Sequence, residues 1–128
     1  MSKSLRSPLG RARGLGSAKD GTHHWWAQRV TAIALIPLSL WFVASIVRLA
    51  GAPLIDLQAW AASPVVAVLL LILVVATFQH ARLGMQVVVE DYVHHEGVKV
   101  AALLAINGAS LLFGAISAFA VLKLAFGG

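Results

Sequence analysis

His80, Asp91 and Tyr92 are the residues of this chain whose types and spacing can do chemistry together. His80 stands near the end of an apolar run, and Asp91-Tyr92 follows eleven residues later. At 100° per residue, eleven steps bring a helix back to within about 20° of its starting direction. On a continuous helix His80 and Asp91 therefore share one face, about 16.5 Å apart. An imidazole can hold a metal or a haem iron. An acid and a phenol can relay protons or hydrogen-bond a polar ligand such as a quinone. The three residues together have the makings of a redox relay.

Each has a plainer reading. Intramembrane ionisable residues point to function by default, but a histidine can simply be hydrogen-bonded across a helix interface. Gly84, at i+4 from His80, strengthens the ligand reading, because a missing side chain lets a flat macrocycle approach the backbone. Asp91 and Tyr92 can also be a solvated acid and an interfacial anchor at a helix end. His23, His24 and Arg29 precede or open the first apolar span. Cationic groups there can pair with anions such as haem propionates, or can snorkel to headgroups. Adjacent His23 and His24 cannot share a helix face, so at most one is expected to point inward. His94 and His95 lack the neighbours of a zinc site and read as solvent-facing turn residues. Arg82, two residues after His80, points to roughly the opposite side of its helix. No Ser-His-Asp set, phosphate loop or HExxH motif is present.

The elements that position these residues follow from composition. The chain has 128 residues, 59% of them hydrophobic and 12% charged, with a mean hydropathy of +0.85. Soluble domains are about 45–50% apolar and about 25% charged, so this is an all-α membrane protein rather than a soluble domain. There is no Cys, which removes disulfides, thiolate chemistry and iron–sulfur ligation by this chain. Three charge-free stretches predict three transmembrane helices, at about 26–49, 63–92 and 98–124. Trp25 and Trp26 sit where an interfacial aromatic belt would. Pro37 is a candidate kink. Gly51-Ala52-Pro53 ends the first helix and a short loop holding Asp56 follows. Ser63-Pro64 reads as N-cap and first turn of the second helix, which runs to about Tyr92. His94-His95-Glu96-Gly97 is a polar turn. Gly108 and Gly114 offer small surfaces for helix contacts.

Residues 1–22 form a basic N-terminal arm, and residues 23–128 the three-helix anchor. Lys3, Arg6, Arg11, Arg13, Lys19 and Arg29 gather at this end of the chain, against one acid, Asp20. The positive-inside rule places that end on the cytoplasmic side, which returns Asp91 and Tyr92 to the same side. Nucleic-acid binding is not expected, because no groove-reading motif accompanies the charge. The arm is as basic and acid-poor as a transit peptide, but it has no clear amphipathic stripe and no secretory apolar core. A bacterial inner membrane is expected ahead of a mitochondrial one.

Two stretches resemble a known family. His80-Ala81-Arg82-Leu83-Gly84-Met85-Gln86, through Glu90-Asp91-Tyr92-Val93, is similar to the His-x-x-x-Gly-Met…Asp-Tyr signature of the succinate dehydrogenase (complex II) hydrophobic membrane anchor. The segment Gly21-Thr22-His23-His24-Trp25-Trp26-Ala27-Gln28-Arg29-Val30-Thr31-Ala32-Ile33 resembles that family's entry into its first helix. The resemblance implies an anchor of succinate:ubiquinone oxidoreductase, inactive toward succinate by itself, within a heteromeric helix bundle. By the same resemblance His80 is an axial ligand of haem b, and the iron's second ligand comes from the cytochrome b subunit. Tyr92 hydrogen-bonds ubiquinone beside Asp91, and Arg29 and His23 face the haem propionates. The remaining partners implied are the iron–sulfur and flavoprotein subunits. A fumarate reductase anchor and a cofactor-free structural or assembly membrane protein are the alternatives. A self-contained di-haem cytochrome would need more intramembrane histidines than His80.

Overall fold

The computed structural model describes Leu5, residues 7–10 and residues 18–127, with residues 18–20 described by their backbone alone. Lys3, Arg6, Arg11 and Arg13 of the basic arm lie outside the described residues. The described residues are helical with no strand: α1 (Ala18–Leu49), α2 (Leu54–Ala62), α3 (Pro64–Tyr92) and α4 (Glu96–Ala125). Three stretches, Gly21–Leu49, Pro64–Tyr92 and Glu96–Ala125, are long and apolar enough to cross a membrane.

α1 continues through Pro37, so proline does not end it; membrane helices tolerate the missing donor when neighbours resatisfy the backbone. It stops where Gly51 takes φ +80°, a left-handed conformation open to glycine. Ala52 N–H closes the turn on Leu49 O at 3.0 Å. The expected loop around Asp56 is instead helix α2. Pro53 precedes it, and Asp56 lies in its first turn, where a carboxylate complements the helix dipole. α2 ends at Ser63, which is extended at φ −60°, ψ 125°. Pro64 is the cause, since the residue before a proline is driven out of the helical region. Ser63 caps α3 without a side-chain bond. The expected polar turn is shorter than residues 94–97, because Glu96 and Gly97 already belong to α4. His95 caps it, Nδ1 accepting from Val98 N–H at 3.2 Å.

α3 packs against both α1 and α4, while α1 and α4 make no comparable contact with each other. The three spans therefore form an open layer with α3 in the middle. Trp41 of α1 stacks on Trp60 of α2 with ring centroids 5.9 Å apart, and α2 also packs against α4 and α3. Gly114 seats Phe78, since an added Cβ would meet the ring at 3.6 Å, whereas Gly108 faces open space and makes no such contact. Burial is slight: Ala61, Leu70, Ala76, Leu83 and Ser45 are the buried residues among those described. α4 buries none.

Candidate functional site

α3 carries two polar positions on opposite sides. His80 is half-buried and faces α1, with Nδ1 3.1 Å from Thr31 Oγ1. Arg82 faces α4: its Nε donates to Gln79 Oε1 at 3.0 Å and its Nη1 to Asn107 Oδ1 at 3.1 Å. The two-residue offset explains the split, because a helix turns through about 200° between them. Arg82 is thus held in the α3/α4 seam by two amide oxygens, away from His80.

On α1, His24, Gln28 and Thr31 follow an i, i+4, i+7 pattern and fall on one stripe. Each is half-buried. His24 Nε2 and Gln28 Oε1 are covered and have no hydrogen-bond partner among the described residues. Buried polar atoms are paired in the great majority of proteins, so these two are exceptions among the described residues. Gln28 also reaches Gly84: a Cβ built there would meet Gln28 Nε2 at 3.5 Å, an ordinary contact. Packing within this chain therefore does not require glycine at position 84. Of the adjacent pair, His24 turns inward and His23 is exposed.

Arg29 is exposed and lies about 160° round α1 from Thr31. Its guanidinium sits over the Trp25 ring, 5.2 Å from the centroid, and Trp25 meets Trp26 edge-on at 5.1 Å. Asp91 and Tyr92 are both exposed at the end of α3. Because α3 is unbroken from Pro64 to Tyr92, Asp91 stands about 20° from the His80 direction and about 16.5 Å along the axis. Tyr92, exposed at 77%, has no partner among the described residues. One turn earlier, Gln86 Nε2 donates to Glu90 Oε1 at 2.8 Å. His94 is exposed, and His95 serves as a helix cap.

Thr31, His24 and Gln28 were not singled out together by residue chemistry, although their spacing within the first span is a readable signal. Asn107 had none, because its role depends on how α3 and α4 align. Among the described residues, no group of three or more His, Cys, Asp or Glu gathers where it could hold a metal ion.

A family model described as the succinate dehydrogenase/fumarate reductase transmembrane subunit matches residues 3–122. The succinate dehydrogenase hydrophobic membrane anchor subunit of Rickettsia bellii (strain RML369-C) is 36% identical over 113 residues, 88% of this chain and 90% of the relative. That of Paracoccus denitrificans is 34% identical over 120 residues, 93% and 89% of the two chains. The succinate dehydrogenase membrane anchor subunit of Reclinomonas americana is 31% identical over 92 residues, 70% and 77%. No solved structure matches the chain significantly. With a family model spanning nearly its whole length and such relatives aligned over most of both chains, this chain belongs to the succinate dehydrogenase/fumarate reductase transmembrane subunit family.

Proposed function

We propose that this chain is the membrane anchor of a succinate dehydrogenase, sharing a haem b and a ubiquinone site with partner subunits. Family membership over residues 3–122 carries the reading, and the relatives' names favour succinate dehydrogenase over fumarate reductase. The open layer supports a heteromeric assembly. A groove of about 460 Å³ on the α4 side of α3, which includes Arg82 and Asn107, and an apolar one of about 380 Å³ on its α1 side share Val75 in their walls. A partner's helices would complete what this chain leaves unfilled. The partners are the cytochrome b, iron–sulfur and flavoprotein subunits.

The residues present fit a haem. A porphyrin supplies four equatorial nitrogens and asks the protein for axial ligands alone. His80 would be one such ligand, and the second would come from the cytochrome b subunit. The covered Nε2 of His24 and Oε1 of Gln28 have no hydrogen-bond partner among the described residues, and Gln28 lies against Gly84, a glycine that this chain's packing does not require. His23 would meet the propionates, and so would Arg29 if its side chain left Trp25 and swung round from the far side of α1. When bound, the haem supplies a one-electron redox centre near the quinone site.

At the end of α3, Tyr92 would donate its phenol hydrogen to a quinone carbonyl. Asp91 would hold or relay a proton beside it. Both side chains are exposed in the isolated chain, as a pocket shared with other subunits requires. The sequence carries no flavin motif, and succinate oxidation would belong to the partners. The basic N-terminal end, and with it Tyr92, faces the cytoplasm of a bacterial cell by the positive-inside rule.

Affinity purification through this chain from mild detergent tests the proposal. A flavoprotein and an iron–sulfur protein should copurify, with a b-type signal in the reduced-minus-oxidised spectrum. His80→Ala should remove or alter that signal. Recovery of the chain without these partners would overturn the anchor reading. An unaltered spectrum in His80→Ala would overturn the ligand assignment.

A further inference from the structure

Thr31 Oγ1 lies close to three atoms at once: Ala27 O at 2.7 Å, Gln28 O at 3.1 Å and His80 Nδ1 at 3.1 Å. A hydroxyl has a single proton to give and two lone pairs to offer. Two of the three neighbours are carbonyl oxygens, which can only accept. The proton therefore goes to the carbonyls of α1's own preceding turn, chiefly to Ala27 at the shorter distance. This back-bonding is a habit of threonine within helices. It also locks the rotamer, because β-branching leaves Thr few choices in a helix.

The lone pairs of Oγ1 are then what His80 meets. Two acceptors this close would repel, so Nδ1 must bring the proton. Were Thr31 to donate to Nδ1 instead, its oxygen would face both carbonyls lone pair to lone pair, with Ala27 O the nearer of the two. The hydrogen-bond inventory admits one assignment: Nδ1 carries the proton, and in the neutral ring Nε2 holds the free lone pair.

We infer that Thr31 is a positioning residue that sets the tautomer and ring orientation of His80, so that Nε2 is the nitrogen presented to a metal. The inference rests on the reading of His80 as a haem ligand. A ligating imidazole whose other nitrogen donates a hydrogen bond is a better electron donor, and removing that acceptor commonly weakens metal retention by roughly 10–100-fold. A stronger donor favours the ferric state, so Thr31 should also hold the haem potential down.

The test uses the assembled complex carrying Thr31→Val, which removes the acceptor at nearly constant volume, and Thr31→Ser, which keeps it. The readouts are haem per flavin and the spectroelectrochemical midpoint. Thr31→Val should lose haem on purification or shift its midpoint upward, by up to about a tenfold change in the ferric–ferrous equilibrium, or about 59 mV for one electron. Thr31→Ser should behave as the native protein. Haem content and midpoint unchanged in Thr31→Val, with His80→Ala still abolishing the native signal, would overturn the inference and leave the ligand reading standing. Should Thr31→Val yield no complex, equal failure of Thr31→Ser overturns the inference and rescue by Ser upholds it. A native complex without b haem would overturn both readings.

Discussion

Arg82 on α3 donates from Nη1 to Asn107 Oδ1 on α4 across 3.1 Å. With Gln79 accepting from Nε, two of the guanidinium's five N–H groups are paired with neutral amides within the span. A charged residue inside a membrane is tolerated when such partners surround it.

Asn107→Leu should loosen the α3/α4 pair, because it leaves Arg82 one partner short. Interhelical hydrogen bonds in membranes are worth roughly 0.6 to 1.7 kcal/mol, so a drop of that order is expected in the detergent-solubilised complex. The double variant Arg82→Leu, Asn107→Leu should recover much of it. Thermal unfolding of the four proteins of this cycle gives the coupling energy, and strict additivity would refute the bond's contribution.

Gly84→Ala separates packing from ligand binding. The added methyl would meet Gln28 Nε2 at 3.5 Å, without a clash. Alanine is favoured over glycine in a helix by about 0.8–1.0 kcal/mol. The chain should therefore be as stable as the native one or slightly more so, while haem content of the complex falls. Full haem occupancy with an unchanged spectrum would show that the macrocycle does not approach the backbone here.

Tyr92→Phe should slow ubiquinone reduction roughly five- to hundredfold, the worth of one hydrogen bond to a buried acceptor left unpaired. Succinate oxidation with an artificial dye acceptor should be unaffected, since that reaction stops at the soluble subunits. Equal rates with quinone in the variant and native complexes would remove Tyr92 from the site.

Trp60→Ala should loosen α2 by deleting its stack on Trp41, leaving its packing on α3 and α4 to hold it. Aromatic pairs contribute about 0.5–1.5 kcal/mol beyond their buried area. Limited proteolysis in detergent should cut faster between residues 50 and 63, and Trp60→Phe should be cut at near-native rate. Identical digestion of the alanine variant would mean that α2 is held otherwise.

The three spans were legible because long charge-free runs leave few alternatives. The opposed directions of His80 and Arg82 followed from their spacing on one helix. α2 escaped notice because Gly51, Pro53 and Asp56 read as loop chemistry, although Pro before a helix and an acid in its first turn are also starting signals. Periodicity showed that His23 and His24 must diverge, but which one turns inward depends on the rotation of α1 against α3. The Thr31–His80 and Arg82–Asn107 pairs lie 49 and 25 residues apart. Such contacts are set by cross-helix registry, which no local pattern encodes.

The length of α3 has a consequence for how His80 and the Asp91-Tyr92 end meet the bilayer. Its 29 residues span about 43.5 Å at 1.5 Å per residue, against a hydrocarbon thickness of about 30 Å. A typical tilt of about 20° still leaves about 41 Å along the normal. The helix is thus longer than the hydrocarbon layer, and at that tilt Asp91 stands about 15.5 Å farther along the normal than His80. Lipids with longer acyl chains would draw the phenol and carboxylate toward hydrocarbon, and shorter ones would bare them to water. A change in acyl-chain length would therefore alter the surroundings of Asp91 and Tyr92 before those of His80.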